Sequence, residues 1–120
     1  MNDRELLELA AKAAGYEVNF SEPVNGWFPH GYDDNGDVDK WWNPLLSDGD
    51  ALRLAVGLRL DICTEENDPH PTLDRQIRHV NVWPFYGTVG ASEDLDSPEP
   101  CAATRRAIVR AAAEIGKAMP

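Results

Sequence analysis

The sequence predicts an α/β chain of the α+β kind, a two- or three-layer sandwich in which three helices cover a small, largely antiparallel sheet. Three observations predict it. Apolar residues recur at helical spacing near the amino terminus, after Ser47 and over the last twenty or so residues. Between these stretches lie short runs that alternate with period two, bounded by Pro, Gly and Asn. The 120 residues, 42% of them hydrophobic, suit one modest core, so residues 1–120 are read as a single domain.

The first helix spans about 3–14. Asn2 or Asp3 can cap it, Asp3 and Glu5 suit its positive end, and Gly15 supplies a left-handed exit. Leu6, Leu9, Ala10 and Ala13 form its apolar stripe, widened by Leu7 and Ala14. Tyr16, Val18 and Phe20 then alternate with Glu17 and Asn19, which reads as a strand. Trp27 and Phe28 suit a second brief strand of a hairpin, limited by Pro29. Residues 30–40 read as a loop around the Asn35-Gly36 turn signal.

After Trp41 and Trp42, Asn43-Pro44 fixes a turn, and Ser47, Asp48 and Asp50 compete to cap the second helix. Ser47 and Asp50 have capping-box spacing, and Leu46 is placed to staple against Ala51. Leu52, Ala55, Val56 and Arg59 are the expected buried side of this helix. Leu60 to Glu65 reads as a strand, with Leu60, Ile62 and Thr64 on one face and Asp61, Cys63 and Glu65 on the other. A second strand falls within 77–83, starting after Arg78, with Val80 and Val82 inward. Phe85 to Val89 is a further strand candidate, and 90–100 reads as loop. The last helix runs from about Cys101 to Ala118, with Pro100 at its start. Its stripe is Ile108, Ala112, Ile115 and Met119, broadened by Cys101, Val109 and Ala111.

Charge narrows the function classes. The formal net charge is −10, from 21 acids against 11 Lys and Arg, which opposes direct nucleic-acid binding. From Glu17 to Asp50 there are eight acids and one base, a net of −7. Arg105, Arg106 and Arg110 form the one basic group and are expected to pair with acids such as Glu93, Asp94 or Glu99. Cys63 and Cys101 have no CxxC spacing, no secretory signal is present, and no apolar run is long enough to span a bilayer. A reduced, cytoplasmic protein without membrane contact is the expectation.

No recognisable catalytic constellation is present. His30, His70 and His79 are dispersed, without HExxH or a Cys/His cluster. The Asp33–Asp39 run places its glycine wrongly for a calcium loop. GxSxG, Walker and GxGxxG patterns are missing. Catalytic, cofactor-binding and metal residues are therefore left unassigned, and no cofactor is expected. The one tempting pair is Cys63 with His79, on neighbouring strands, with Asp61 as a third group. The simpler reading makes Cys63 a small buried hydrophobe. Aromatics are concentrated around Trp27, Tyr32, Trp41, Trp42 and Trp83. Trp42 and Trp83 are expected in the core, whereas Trp27, Tyr32 and Trp41 are candidates for a protein-binding face.

Two segments carry a resemblance. One is Trp42-Asn43-Pro44-Leu45 running into Asp48-Gly49-Asp50-Ala51-Leu52-Arg53-Leu54-Ala55, and the other is Ala102 to Gly116, containing Thr104-Arg105-Arg106. With the alanine-rich helix at 6–15, they resemble the small bacteriophage and prophage proteins of the phage ABA sandwich domain family. The resemblance implies an α-β-α layered domain encoded by a phage or prophage, located in the cytoplasm of the host bacterium, with no established activity. Trp42, Asn43, Pro44, Asp48, Gly49, Asp50, Thr104 and Arg105 carry over as motif residues without a catalytic role.

The expected function is that of an accessory phage protein that binds another protein, of host or phage, with a homodimer as a further option. The candidate face is Trp27, Tyr32 and Trp41 rimmed by Asp33, Asp34, Asp37 and Asp39. Two alternatives stand beside it. One is a small enzyme or ligand-binding domain with a site near Cys63, His79 and Asp61. The other is an acidic mimic of nucleic acid that inhibits a DNA-binding protein.

Overall fold

A computed structural model describes residues 2–16, 18–21, 26–29, 42–66, 78–84, 90–95 and 99–120; for 18–21, 26–29, 65–66 and 78 the description is of the backbone alone. The architecture is α+β. In chain order the elements are α1 (Asp3–Ala14), β1 (Val18–Ser21), β2 (Gly26–Pro29), α2 (Asp48–Gly57), β3 (Leu60–Glu66), β4 (Arg78–Pro84), β5 (Ala91–Asp94) and α3 (Pro100–Ala118). β1 and β2 form an antiparallel hairpin pairing Val18 with Pro29 and Phe20 with Trp27. β3, β4 and β5 form a separate antiparallel sheet in that order.

Local chemistry explains where α1 begins and ends. The Glu5 N–H donates to Asn2 Oδ1 at 2.8 Å, and Asp3 and Glu5 lie against the positive end of the helix. At the other end Gly15 takes φ 79°, a left-handed conformation that costs glycine little. The Tyr16 N–H reaches the Ala11 carbonyl at 2.9 Å and the Gly15 N–H reaches that of Lys12 at 3.1 Å, the two bonds of a Schellman ending.

α3 is the central beam. Ala107, Ile108, Val109, Ala111, Ala112, Ala113 and Gly116 are all buried, an arc too wide for a helix covered on one side alone. One side of α3 lies on β4 and β5, and α1 packs along another. Small side chains make the helix pair close: a Cβ on Gly116 would stand 2.0 Å from the Leu9 carbonyl oxygen. The expected Ile108, Val109, Ala111 and Ala112 are in this buried arc, whereas at the ends of the stripe Cys101 is exposed and Met119 is 40% exposed.

The sheet presents one face to the helices. Val80 and Val82 of β4 are fully buried, and their cross-strand neighbours Thr64 and Ile62 on β3 and Glu93 and Ala91 on β5 share that face. Burial of each valine contributes about 1.5–3 kcal/mol. The strand begins at Arg78 itself, one residue earlier than the sequence suggested. β5 occupies a stretch read as loop, because its Ala-Ser-Glu-Asp run has no apolar alternation and owes its extended form to pairing with β4. The candidate strand 85–89 lies outside the described residues.

Three further expectations are corrected. Trp83 is 42% exposed rather than in the core, since alternation from Val82 turns it to the outer face, where its ring lies against Gly90. On α2 the buried residues are Asp50, Ala51, Leu54 and Ala55, whereas Leu52 and Val56 point to solvent. The cap sets this phase. Ser47 starts the helix, and Asp50 is drawn inward as a hydrogen-bond acceptor, so the helix is rotated from the expected face. Leu46 is exposed and makes no staple, and Arg59 sits in the turn after the helix at φ 55°.

Candidate functional site

The densest polar construction among the described residues joins the 42–50 turn to α2 and α3. Asn43 begins it. Its Oδ1 accepts from the Leu45 N–H at 3.0 Å, an Asx turn, and its carbonyl accepts from the N–H groups of Leu46 and Ser47. Pro44 is fully buried beneath this turn. Ser47 Oγ then accepts from the Asp50 N–H at 3.2 Å and caps α2.

Asp50 does not reach back to the cap in the manner of a capping box. Its Oδ2 accepts from the Asn43 N–H at 2.9 Å, and its Oδ1 meets Arg53 Nη2 at 2.8 Å. A buried carboxylate is thus held by one backbone donor and one guanidinium, at a helix end that favours negative charge. Arg105 of α3 closes the construction: Nε donates to the Leu45 carbonyl at 2.9 Å and Nη1 to Asp48 Oδ1 at 2.6 Å. Trp42 enters the core beside it, with Tyr16 edge-on at 5.5 Å between ring centroids. Thr104 bonds the Pro100 carbonyl at 2.9 Å within α3. Trp42, Asn43, Pro44, Asp48, Asp50, Thr104 and Arg105 thus work as turn, cap, clamp and packing groups.

The other arginines of α3 meet acids on neighbouring elements. Arg110 Nη1 stands 2.8 Å from Glu93 Oε1, Arg106 Nε 4.0 Å from the same oxygen, and Arg106 Nη1 3.2 Å from Asp3 Oδ1. The expected pairing with Glu93 is present, and Asp48 and Asp3 are partners that the sequence did not single out. Beside these pairs an open groove of about 600 Å³ runs among Asp3, Leu45, Leu46, Glu93, Arg105 and Arg106, and a neighbouring one of about 410 Å³ is lined by Leu6, Glu93, Arg106, Arg110 and Glu114.

Cys63, His79 and Asp61 share the outer face of the sheet, but they fall in three successive cross-strand rows. Asp61 is opposite Trp83, Cys63 opposite Asn81, and Glu65 opposite His79. Cys63 and His79 are therefore diagonal neighbours, about 7–8 Å apart on a regular pleat and somewhat less between Cβ atoms. Cys63 is exposed and so is not the buried hydrophobe of the simpler reading; Asp61 is exposed as well. Ser92 Oγ donates to Asn81 Oδ1 at 2.6 Å in the middle row. Among the described residues no group of three or more His, Cys, Asp or Glu is arranged to hold a metal ion.

The sequence-based binding face lies almost wholly outside the described residues. Trp27 lies in β2 opposite Phe20, with its side chain outside the described residues; Tyr32, Asp33, Asp34, Asp37, Asp39 and Trp41 lie outside them entirely. What the sequence did not reveal is an apolar flank on α2. Leu52 and Val56, one turn apart, are 59% and 70% exposed, and Leu46 just before the helix is 69% exposed. Ile62 on the adjoining strand β3 is 41% exposed. The signal was the spacing of Leu52 and Val56, which was assigned to the core.

No protein-family model, curated protein or solved structure matches this chain. No helix among the described residues is long and apolar enough to cross a membrane.

Proposed function

We propose that the chain acts by binding another protein through the exposed flank of α2, and that its polar clusters serve the fold rather than a reaction. The observation that carries this reading is the exposure of Leu52 and Val56 at i and i+4 on a helix whose opposite side is fully packed. Single exposed apolar residues are ordinary, but a helical pair beside a further exposed Leu and Ile is the pattern of a docking face. A helix that presents such anchors suits a protein groove or a partner helix. The resemblance to small phage proteins assigns the partner to the host bacterium or to the phage's own set.

The test is capture of partners by the tagged chain from a lysate of the encoding cell, compared with a Leu52→Glu, Val56→Glu variant. A specific partner held by the parent chain through a high-salt wash and lost by the variant is the expected result. Equal capture by both chains overturns the assignment to α2.

A further inference from the structure

We infer that the Trp83–Asp61 pair on the outer face of the sheet receives an arginine side chain of a basic polypeptide partner. The site uses none of the residues of the α2 flank and stands apart from that reading. Asp61 and Trp83 are directly opposite each other across β3 and β4. Their side chains therefore leave the same face, with Cβ atoms about 4.5–5.5 Å apart. Trp83 is 42% exposed, and Asp61 is exposed. Among the described residues Asp61 makes no hydrogen bond or ion pair, and the Trp83 ring meets no other ring or cation. Gly90 seats the indole: a Cβ there would stand 2.5 Å from Cε3 and 2.8 Å from Cδ2 of the ring. A ring lodged in this way has little freedom left to lose when a ligand stacks on it.

Chemistry selects the occupant. An exposed indole attracts a cation to its face, and a carboxylate beside it supplies the counter-charge. A guanidinium answers both at once, because its plane stacks on the ring while its N–H groups donate at the edge to the carboxylate. An ammonium is a compact, strongly hydrated charge and does not stack. One cation–π contact and one exposed ion pair hold a free small cation only weakly, so the arginine must be presented by a chain that makes further contacts. The net charge of −10 draws basic polypeptides and repels both nucleic acid and a second copy.

The experiment is a titration of the full chain, at fixed ionic strength, with a short oligoarginine peptide and with an oligolysine peptide of the same length. The readout is the indole N–H resonance of Trp83, assigned by its loss in Trp83→Leu. A saturable shift of that resonance is expected with oligoarginine, which should bind about twofold to fivefold more tightly than oligolysine. Trp83→Leu is expected to remove that preference. Asp61→Asn, a change on the exposed face that keeps the side chain's shape, is expected to weaken oligoarginine about twofold to fivefold. Should Trp83→Leu fail to fold, the Asp61→Asn variant and the shift of the Trp83 resonance in the parent chain decide alone. Equal affinity for the two peptides, an arginine preference that survives Trp83→Leu, or an unmoved Trp83 resonance overturns the inference. Undiminished affinity in Asp61→Asn overturns it as well, and so does sedimentation showing a dimer that Asp61→Asn breaks, which would give the site to a second copy. Each of these failures leaves the α2 reading standing, because that reading rests on Leu52 and Val56 and is tested by their replacement.

Discussion

Replacing Asp50 by alanine tests how the 42–50 turn is held to α2. The wild-type carboxylate is buried, accepts from the Asn43 N–H at 2.9 Å and meets Arg53 at 2.8 Å. A hydrogen bond to a charged acceptor contributes about 1.5–3 kcal/mol, and its loss leaves a half-buried N–H without its acceptor. The Arg53 side chain is 61% exposed, so that pair adds no more than about 0.5 kcal/mol after screening. A negative charge in the first turn of a helix adds about 0.3–1 kcal/mol. Asp50→Ala is therefore expected to cost about 2–4 kcal/mol, dominated by the Asn43 bond. Asp50→Asn keeps an acceptor oxygen without the charge and is expected to cost about half as much. Urea unfolding followed by tryptophan fluorescence and far-ultraviolet circular dichroism reads both, with the slope of free energy against denaturant unchanged. An alanine variant within about 0.5 kcal/mol of the parent refutes the reasoning, as does an asparagine variant as unstable as the alanine one.

Three other perturbations follow from the same structure, all read by denaturant unfolding. Arg105→Lys keeps the charge but cannot present two donors in one plane to the Leu45 carbonyl and Asp48, and is expected to cost about 1 kcal/mol; no loss would show that the clamp is incidental. Gly116→Ala places a methyl group 2.0 Å from the Leu9 carbonyl oxygen, so α1 must move away from α3, at an expected cost of about 3 kcal/mol; a neutral result would mean that the helices are further apart than described. Arg59→Gly removes a side chain held at φ 55° and is expected to stabilise by about 0.5–1 kcal/mol, the left-handed strain outweighing glycine's extra freedom when unfolded; a destabilised variant contradicts that balance.

Local signals carried the parts of the fold that local chemistry decides. Asn2, Gly15 and Ser47 declare their caps because hydrogen bonds to chain ends involve near neighbours in sequence. Val80 and Val82 declare the inner face because pleat geometry fixes alternation. The same alternation from Val82 already turned Trp83 outward, but its size argued for burial, and the pleat prevailed. α2 was misphased because Leu52, Leu54, Val56 and Leu58 alternate around the helix and mark no single side. Its phase comes from Asp50, whose partner Asn43 lies outside the helix. β5 was invisible because an Ala-Ser-Glu-Asp strand is specified by its neighbour.

The central claim is that α2 meets a protein partner, and site-specific photo-crosslinking in the encoding cell tests it most directly. A photoreactive amino acid would replace Val56 on the exposed flank, and another would replace Glu8 on the solvent side of α1 as a control. A discrete crosslinked species is expected from position 56 and not from position 8. A species formed equally from both positions, or from position 8 alone, contradicts it, and so does a position-56 chain that stays uncrosslinked when the partner captured from lysate is present.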